Sequence, residues 1–186
     1  MRKSFFRFLW LILLVVSIGC GPSKESYDTN TEVPKGDPDF PSLGAYWVID
    51  KAGVLEKKTI IRGDLICQSL KEDGVAEVVV LVINGVKHPE DYATHYGRWL
   101  KLGRKGLSTE GGNNGLVWLI RPDADLKMTI SVGRGLPRFT SSDYGKIMDG
   151  DAKDYLDFGN FDKGVLKIIE ETNQKLREIY SPQKIK

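Results

Sequence analysis

The chain has 186 residues, of which 27 are basic, 25 are acidic and 41% are apolar. This length and apolar content suit one folded domain with a hydrophobic core, while the near balance of charge excludes a nucleic-acid-binding protein. Only two cysteines, Cys20 and Cys67, occur, so a disulfide-rich scaffold is excluded as well.

The first 19 residues predict a signal peptide. Three basic residues lie among the first seven, and the apolar run at 8–16 that follows is too short to span a bilayer. A small residue precedes Cys20, and this ending resembles a bacterial lipobox with Cys20 as the lipidated first residue of the mature chain. An ordinary signal peptide or an uncleaved anchor helix is the alternative interpretation. We therefore expect an extracytoplasmic lipoprotein anchored in a membrane.

The mature chain divides into a tether, a domain and a tail. Loss of residues 1–19 removes three basic residues and no acidic one, which leaves 24 basic against 25 acidic residues, a net charge near −1. Residues 20–43 comprise the lipidated cysteine and a polar segment rich in Ser, Pro and Asp, typical of a flexible tether. Residues 44–180 form the predicted domain, and 181–186 form a tail. Gly21 after Cys20 favours, by the same lipobox resemblance, the outer membrane or its periplasmic face in a host with two membranes.

Strands and helices alternate in the first half of the domain. The β-branched run at 77–83 lacks alternation, which indicates a central strand covered on both faces. In the first helix, Ile60, Ile61, Leu65 and Leu70 fall near helical spacing, and Cys67 lies on the same apolar side, where we expect a buried thiol. The predicted elements are a strand at 46–50, a helix at 56–72, a strand at 77–83 and a helix at 89–102.

The second half adds a hairpin and two helices. Residues 116–120 predict a second buried strand, and the alternating residues 127–132 predict its hairpin partner nearer the sheet edge. Thr140, Ser141 or Ser142 caps a helix, and a final helix runs from 162 to 180. The fold class is therefore α/β, a three-layer αβα sandwich with a mixed central β-sheet.

Several common catalytic and cofactor motifs are absent. No HExxH, CxxC or GxSxG pattern occurs, and His88 and His95 lie two helical turns apart, too far to share zinc and typical of surface histidines. The sequence Gly133-Arg134-Gly135 lacks the third glycine of a dinucleotide loop, and Gly103 opens no Walker loop, so we expect no nucleotide cofactor. These glycines are expected to provide positive φ angles at turns.

Three oxygen-bearing side chains lie near strand or helix ends. Asp50 follows one strand, Asn114 precedes another, and Asp143 opens a helix. If these ends share one sheet edge, their oxygens converge on a divalent cation, Ca²⁺ or Mg²⁺. Each residue also has an ordinary alternative role, in a turn or in the first turn of a helix.

Ordered sequence blocks across the domain resemble the TPM domain family. The blocks are Val48–Leu55, Glu77–Val82, Pro89–Ala93, Arg98–Trp99, Gly103–Gly106, Asn113–Gly115 and Val132–Leu136, within a span of about 46–176. The resemblance implies an αβα sandwich outside the cytoplasm, divalent-metal binding in some members and phosphatase activity in some. By position, Asp50, Asn114 and Asp143 match the polar rim of the family.

Two departures from the family pattern argue against catalysis. Pro137 stands where the family often has an acid after the glycine turn, and 154–156 replaces a PxF segment. Asp149, Asp151 and Asp162 are acids that could compensate.

Three functional hypotheses follow. The first is a membrane-tethered, non-catalytic module that binds a divalent cation and a protein partner in the cell envelope. The second is a metal-dependent acid phosphatase acting on phosphate monoesters, with Arg104, Lys105 or Arg134 binding the phosphate anion and no clear nucleophile. The third is a plain structural domain.

Overall fold

Residues 40–103 and 112–180 are described by the computed structural model, and they contain four strands and five helices within one compact unit. Cys20, Arg104 and Lys105, for which roles are predicted above, lie outside the described residues. Among those described, no helix is both long and apolar enough to cross a membrane. The elements are β1 Val48–Asp50, α1 Lys57–Glu72, β2 Glu77–Val82, α2 Pro89–Trp99, β3 Gly115–Ile120, β4 Met128–Val132, α3 Ser141–Met148, α4 Asp151–Asp157 and α5 Phe161–Tyr180.

The four strands form one mixed sheet in the order β1-β2-β3-β4. β1, β2 and β3 are parallel, and β4 pairs with β3 in the antiparallel sense of a hairpin. Asp50 lies beside Val82, which lies beside Ile120, so the carboxyl ends of the three parallel strands share one edge of the sheet. We call it the carboxyl edge, and the opposite edge the amino edge.

Side chains that alternate along the strands build two separate apolar layers, because successive residues of a strand point to opposite faces. Val78, Val80 and Trp118 face a layer formed with α1, α3, α4 and α5, which we call the four-helix face. Val79 and Leu81 face α2 and the segment 40–43, which we call the α2 face. The predicted αβα sandwich is confirmed, and β2 is covered on both sides.

The two parallel crossovers have opposite hands. β1, β2 and β3 follow one another across the sheet in a single direction, yet α1 packs on the four-helix face and α2 on the opposite face. Helices on opposite faces cannot both make right-handed connections when the chain advances in one direction. One of the two crossovers is therefore left-handed, against the hand taken by about 98% of such units.

Helix and strand positions agree with the sequence predictions, with two corrections. α4 was not predicted, because its seven residues bury only Ala152 and Leu156 and give too short an apolar pattern. On α1, Ile61 and Leu65 are 42% and 62% exposed, so the predicted apolar face is wrong there. Contact with α5 instead selects the face that carries Gly63, whose missing side chain leaves room for Ile169.

The glycines of the predicted rim serve two physical purposes. Gly103 has φ +86°, as expected, and a Cβ there would also lie 2.7 Å from the Asn114 nitrogen. Gly133 and Gly135 lack positive φ, so their predicted role is wrong: a Cβ on either would overlap a backbone oxygen, of Asn113 and Gly112 respectively. Close backbone approach explains both residues.

Candidate functional site

The carboxyl edge between β1 and β2 forms a crevice for a topological reason. The chain leaving β1 passes to α1 on the four-helix face, whereas the chain leaving β2 passes to α2 on the other face. Neighbouring loops that diverge to opposite faces leave a gap above the strand ends, the usual ligand-binding position in parallel α/β sheets. The side chains at this gap are therefore the first candidates for a site.

Asp50 organises the loop on the β1 side of the crevice. Its Oδ1 accepts a hydrogen bond from the Gly53 amide at 2.8 Å, and its Oδ2 accepts one from the Leu55 amide at 2.7 Å. Gly53 has φ +71°, a conformation that suits glycine at the tip of this turn. Asp50 thus has the structural role of a turn residue, and each oxygen keeps a lone pair for a further ligand.

Asp162 joins Asp50 at this loop. Its Oδ1 accepts a hydrogen bond from the Glu56 amide at 2.9 Å, so the two carboxylates bind the adjacent amides of Leu55 and Glu56. Asp162 lies in the first turn of α5, and Glu56 is the N-cap of α1, so two helix N-termini meet at this loop. Partial positive charge at helix N-termini favours carboxylates there.

Two surface depressions adjoin the carboxyl edge. One, of about 370 Å³, is lined by residues of 42–51 together with Lys57, Ile60 and Ile61. The other, of about 480 Å³, is lined by Phe40, Pro41, Lys51, Ile83 and Asn84. Lys51 borders both, and within the described ranges it forms no ion pair, so its ammonium group is available to an anionic ligand.

Arg121 and Asp123 support the β2 side of the crevice. The Arg121 guanidinium, 9% exposed, donates to the Leu126 carbonyl at 2.6 Å and to the Val86 carbonyl at 3.4 Å. Asp123 accepts a hydrogen bond from the Gly85 amide at 2.8 Å. These contacts tie the loop after β2 to the β3–β4 turn, which fixes that wall of the crevice.

Asn114 lies at the opposite edge of the sheet from Asp50. It precedes Gly115, and Asp50 is level with Ile120 through Val82. Ile120 is five residue steps from Gly115 along β3, about 16 Å in a strand. The Asn114 side chain is 2% exposed and donates to the Val75 carbonyl at 3.1 Å, a structural contact.

Asp143 is also remote from Asp50. Its Oδ2 accepts from the Thr140 amide and hydroxyl, each at 2.9 Å, and its Oδ1 lies 3.5 Å from the Lys175 ammonium. Lys175 is thirteen residue steps from Asp162 along α5, about 20 Å in a helix. The structure therefore does not bring the three predicted metal ligands together: Asp50, Asn114 and Asp143 occupy three different places.

Of the three predicted anion-binding residues, the structure describes Arg134, which lies near the amino edge. Arg134 is exposed just after β4, whose Val132 pairs with Leu116 near the start of β3. Arg104 and Lys105 lie outside the described residues. Arg134 is therefore separated from Asp50 by the length of the sheet.

The described side chains contain no activated nucleophile in the crevice. Cys67 is fully buried, and burial raises the pKa of its thiol to about 12. His88 is exposed as predicted, but His95 is only half-buried and its Nδ1 is shielded without a hydrogen bond, so the surface prediction fails for it. Within 40–103 and 112–180, no group of three or more acidic, histidine or cysteine residues could hold a metal ion.

Sequence reasoning missed part of this site. Asp162 was named only as a compensating acid, and Lys51 and Asn84 were not named as site residues. Lys51 directly follows β1, and Asn84 lies two residues after the end of β2, positions that the carboxyl-edge rule singles out. Asp162 had no such signal, because 106 residues separate it from Glu56 in sequence.

Comparison of the sequence with known protein families identifies the domain that has this sheet and these glycine turns. The family model of the TPM domain matches residues 48–175. The chain belongs to the TPM domain family. This TPM domain thus includes β1 and most of α5, while the residues of 40–46 that line part of the two depressions precede the matched region. Among curated proteins, none matches the sequence.

Two solved structures are similar in fold to this TPM domain. The N-terminal domain of a P. gingivalis protein has a TM-score of 0.60 and 19% identity, covering 76% of this chain and 90% of that one. The N-terminal domain of a Corynebacterium glutamicum protein has a TM-score of 0.53 and 16% identity, covering 78% and 87%. At such identities the likeness concerns the fold.

Proposed function

We propose that this TPM domain is a membrane-tethered, extracytoplasmic module that binds a divalent cation and a protein partner in the cell envelope. The tether and anchor rest on the signal-like N-terminus, Cys20 and the polar segment 20–43. Binding in place of catalysis is favoured by the buried state of Cys67 and by Pro137 at a position where the family often has an acid.

The observation that carries the cation proposal is the pair formed by Asp50 and Asp162. Their carboxylates accept hydrogen bonds from the adjacent amides of Leu55 and Glu56, which holds both against one loop. Ca²⁺ takes six to eight oxygen ligands, and Mg²⁺ often uses one or two carboxylates with water. We place the cation at this loop, with carbonyl groups of 51–56 and water completing its shell.

Calorimetric titration of the full chain with CaCl₂ and with MgCl₂ tests this placement. We expect a dissociation constant below about 1 mM. The melting temperature should rise at saturation, because a ligand that binds only the folded state stabilises it. Asp50→Asn and Asp162→Asn should each weaken the cation affinity by about tenfold or more, since each removes a charged ligand.

Asp143→Asn is the matched control, because Asp143 is also a carboxylate that accepts a backbone hydrogen bond, but it lies beside Lys175, about 20 Å along α5 from Asp162. It should leave the cation affinity unchanged. Equal weakening by all three variants, or no binding by the wild-type chain, would remove the cation from the proposal.

A metal-dependent acid phosphatase is the second candidate. It is favoured by Lys51 and Lys57, which border the same depression as Asp50 and could neutralise a phosphate group. Hydrolysis of p-nitrophenyl phosphate by the wild-type chain, abolished by Asp50→Ala and retained by Asp143→Ala, would support it. Hydrolysis that both variants retain would point to a contaminating enzyme.

The membrane anchor is tested separately through Cys20. Cys20→Ala should transfer the protein from the membrane fraction to the soluble extracytoplasmic fraction, because acyl chains are the proposed attachment. Persistence in the membrane fraction would instead favour an uncleaved anchor helix.

A further inference from the structure

The segment that leads into β1 is buried at one end and exposed along most of the rest. Phe40 and Pro41 lie buried on the α2 face, and Phe40 is 9% exposed. The residues of 42–46 are exposed apart from Leu43, which is half-buried. Gly44 has φ +58°, the conformation of a glycine turn, and nothing lies within 4 Å of an added Cβ there. A buried end joined to an exposed turn has the geometry of a hinged segment.

The buried end is held on α2 by an aromatic ring and a hydrogen bond. The Phe40 ring centroid lies 5.1 Å from that of Tyr92, 5.6 Å from that of Tyr96 and 5.8 Å from that of Trp99. The Tyr96 hydroxyl donates to the Pro41 carbonyl at 2.8 Å. Tyr96 is fully buried and Trp99 is 41% exposed, so Phe40 forms part of the cover over this aromatic row.

These contacts are weaker than those that hold the whole domain together. Burial of one phenylalanine with one hydrogen bond favours the attached position by about 10²-fold to 10³-fold. Small domains favour the folded over the unfolded state by roughly 10³-fold to 10⁸-fold. Phe40 and Pro41 should therefore detach from α2 more often than the domain unfolds, which is a local opening.

The same segment forms a wall of both depressions at the carboxyl edge. Phe40 and Pro41 line the larger one, of about 480 Å³, together with Lys51, Ile83 and Asn84. Most of the remaining segment borders the smaller one. Detachment of the buried end therefore takes away two of the five residues that line the larger depression and opens its side.

We propose that residues 40–46 are a latch: Phe40 and Pro41 leave α2 together and turn about the rest of the segment, while the sheet and the helices stay folded. The open latch widens the larger depression beside Lys51. This inference rests on the proposed function in one respect, because the predicted tether, which ends in this segment, makes the latch the link between the membrane anchor and the crevice. The opening is measured without a cation or a partner, so its failure is distinguishable from failure of the proposed function.

Thiol labelling of the full chain in detergent micelles measures the opening. Pro41→Cys places a thiol in the buried end of the latch, and the native Cys67, fully buried on the four-helix face, reports global unfolding in the same molecule. Relative to its rate in the unfolded chain, the introduced thiol should react at least about tenfold faster than Cys67 at pH 8. Its rate should hardly change with urea below the unfolding transition, whereas that of Cys67 should rise steeply, because only global unfolding exposes a large surface.

Ser42→Cys is the exposed control, because Ser42 is the exposed neighbour of Pro41. Its thiol should react as fast as in the unfolded chain. Equal rates and equal urea dependence of the thiol at position 41 and of Cys67 would show that the segment leaves α2 only on global unfolding, which overturns the latch. A thiol at position 41 that reacts as fast as the one at position 42 would show that the segment is not seated, which overturns it as well.

Fluorine NMR tests the same opening with residues 40–46 unchanged. In the Tyr96→Phe variant labelled with 4-fluorophenylalanine, saturation transfer should reveal a minor state of Phe40 at about 1% or more, with a shift near that of Phe158, which is 89% exposed. Loss of the hydrogen bond to Pro41 should raise this fraction about fivefold over wild type. Tyr92→Phe, the same change one turn earlier on α2, leaves that bond in place and is the control. No minor state of Phe40 in Tyr96→Phe, or equal fractions in the two variants, contradicts the latch.

Phe40→Ala tests the link between the latch and the larger depression. This change removes the ring that holds the latch on α2, so the amide resonances of Ile83 and Asn84 should shift while those of α5, on the other face of the sheet, stay in place. Phe158→Ala, at an exposed phenylalanine, should leave Ile83 and Asn84 unchanged. Unshifted Ile83 and Asn84 in Phe40→Ala, or shifts that extend through α5, would overturn the link.

Discussion

Asp143 shows how a single carboxylate serves the fold without serving the site. It holds the first turn of α3 through Thr140 and lies beside Lys175 of α5. The backbone hydrogen bond from Thr140, followed by its hydroxyl and by Lys175, holds the pKa of Asp143 below its ordinary value. A depressed carboxylate pKa means that the charged form stabilises the folded state.

We predict that Asp143→Ala lowers the free energy of unfolding by about 1 kcal/mol at pH 7, the usual effect of losing a capping residue. The contribution is complete above the unfolded pKa of about 3.9 and is lost as the pH falls through the lower folded pKa. Urea unfolding at pH 7 and pH 3 measures the change. Asp151→Ala, at an exposed position in the first turn of α4, is the control and should differ from wild type by less than about 0.5 kcal/mol.

Cys67 is expected to be chemically inert in the folded protein. Burial raises its thiol pKa to about 12, so the reactive thiolate is scarce near neutral pH. Labelling with a thiol reagent at pH 8 should be very slow for the native chain and rapid in urea. Fast native labelling would contradict the burial of this side chain.

At the scale of elements, the amino edge depends on backbones that touch. Gly103, Gly133 and Gly135 let the loops after α2 and β4 pack against the start of β3. These three glycines therefore hold three segments together by close backbone contact.

Gly135→Ala should destabilise the fold by more than about 3 kcal/mol, because the added Cβ would overlap the Gly112 carbonyl oxygen and the backbone must move. Gly145→Ala is the matched control within α3, where a Cβ meets nothing within 4 Å. Helix propensity predicts that this change stabilises by up to about 1 kcal/mol. Thermal unfolding of the two variants should thus shift in opposite directions, and equal destabilisation would refute the argument.

Local patterns predicted most elements, and tertiary contacts decided the rest. The β-branched run in β2 and the cap at Thr140 are local signals, so both were predictable. The exposed Leu65 was not, since packing against α5 selects which side of α1 is buried. The proximity of Asp162 to the loop that holds Asp50 depends on how α5 packs against that loop, which no local pattern encodes.

At the scale of the molecule, the α2 face is completed by a segment that precedes the family match. Phe40 is 9% exposed, its ring centroid lies 5.1 Å from that of Tyr92 and 5.8 Å from that of Trp99, and the Tyr96 hydroxyl donates to the Pro41 carbonyl at 2.8 Å. Residues 40 and 41, which the sequence analysis assigned to the predicted tether, are therefore part of the core.

Phe40→Ala should lower the free energy of unfolding by about 3 kcal/mol, within the range for large-to-small core substitutions. Phe158→Ala is the control, because Phe158 is 89% exposed and should contribute less than about 0.5 kcal/mol. Urea unfolding followed by tryptophan fluorescence provides the measurement. Similar effects of the two variants would mean that residue 40 does not belong to the core.

The overall architecture was predictable from alternating elements, but the side on which each helix packs was not. A right-handed rule applied to both crossovers would have placed α1 and α2 on one face. The crevice at the carboxyl edge exists because they lie on opposite faces, so the site depends on a topological departure that the sequence does not display.

Trp118, in the middle of the sheet, has a consequence for the order in which the chain is made. Its indole N–H is fully buried and donates to the Thr172 hydroxyl at 3.0 Å, in the last helix. A ribosome that has synthesised β1 to β4 has therefore produced a sheet whose largest side chain still lacks its cover and its hydrogen-bond partner. The sheet therefore completes its core only when α5 packs on it, so β1 to β4 on their own remain incompletely folded.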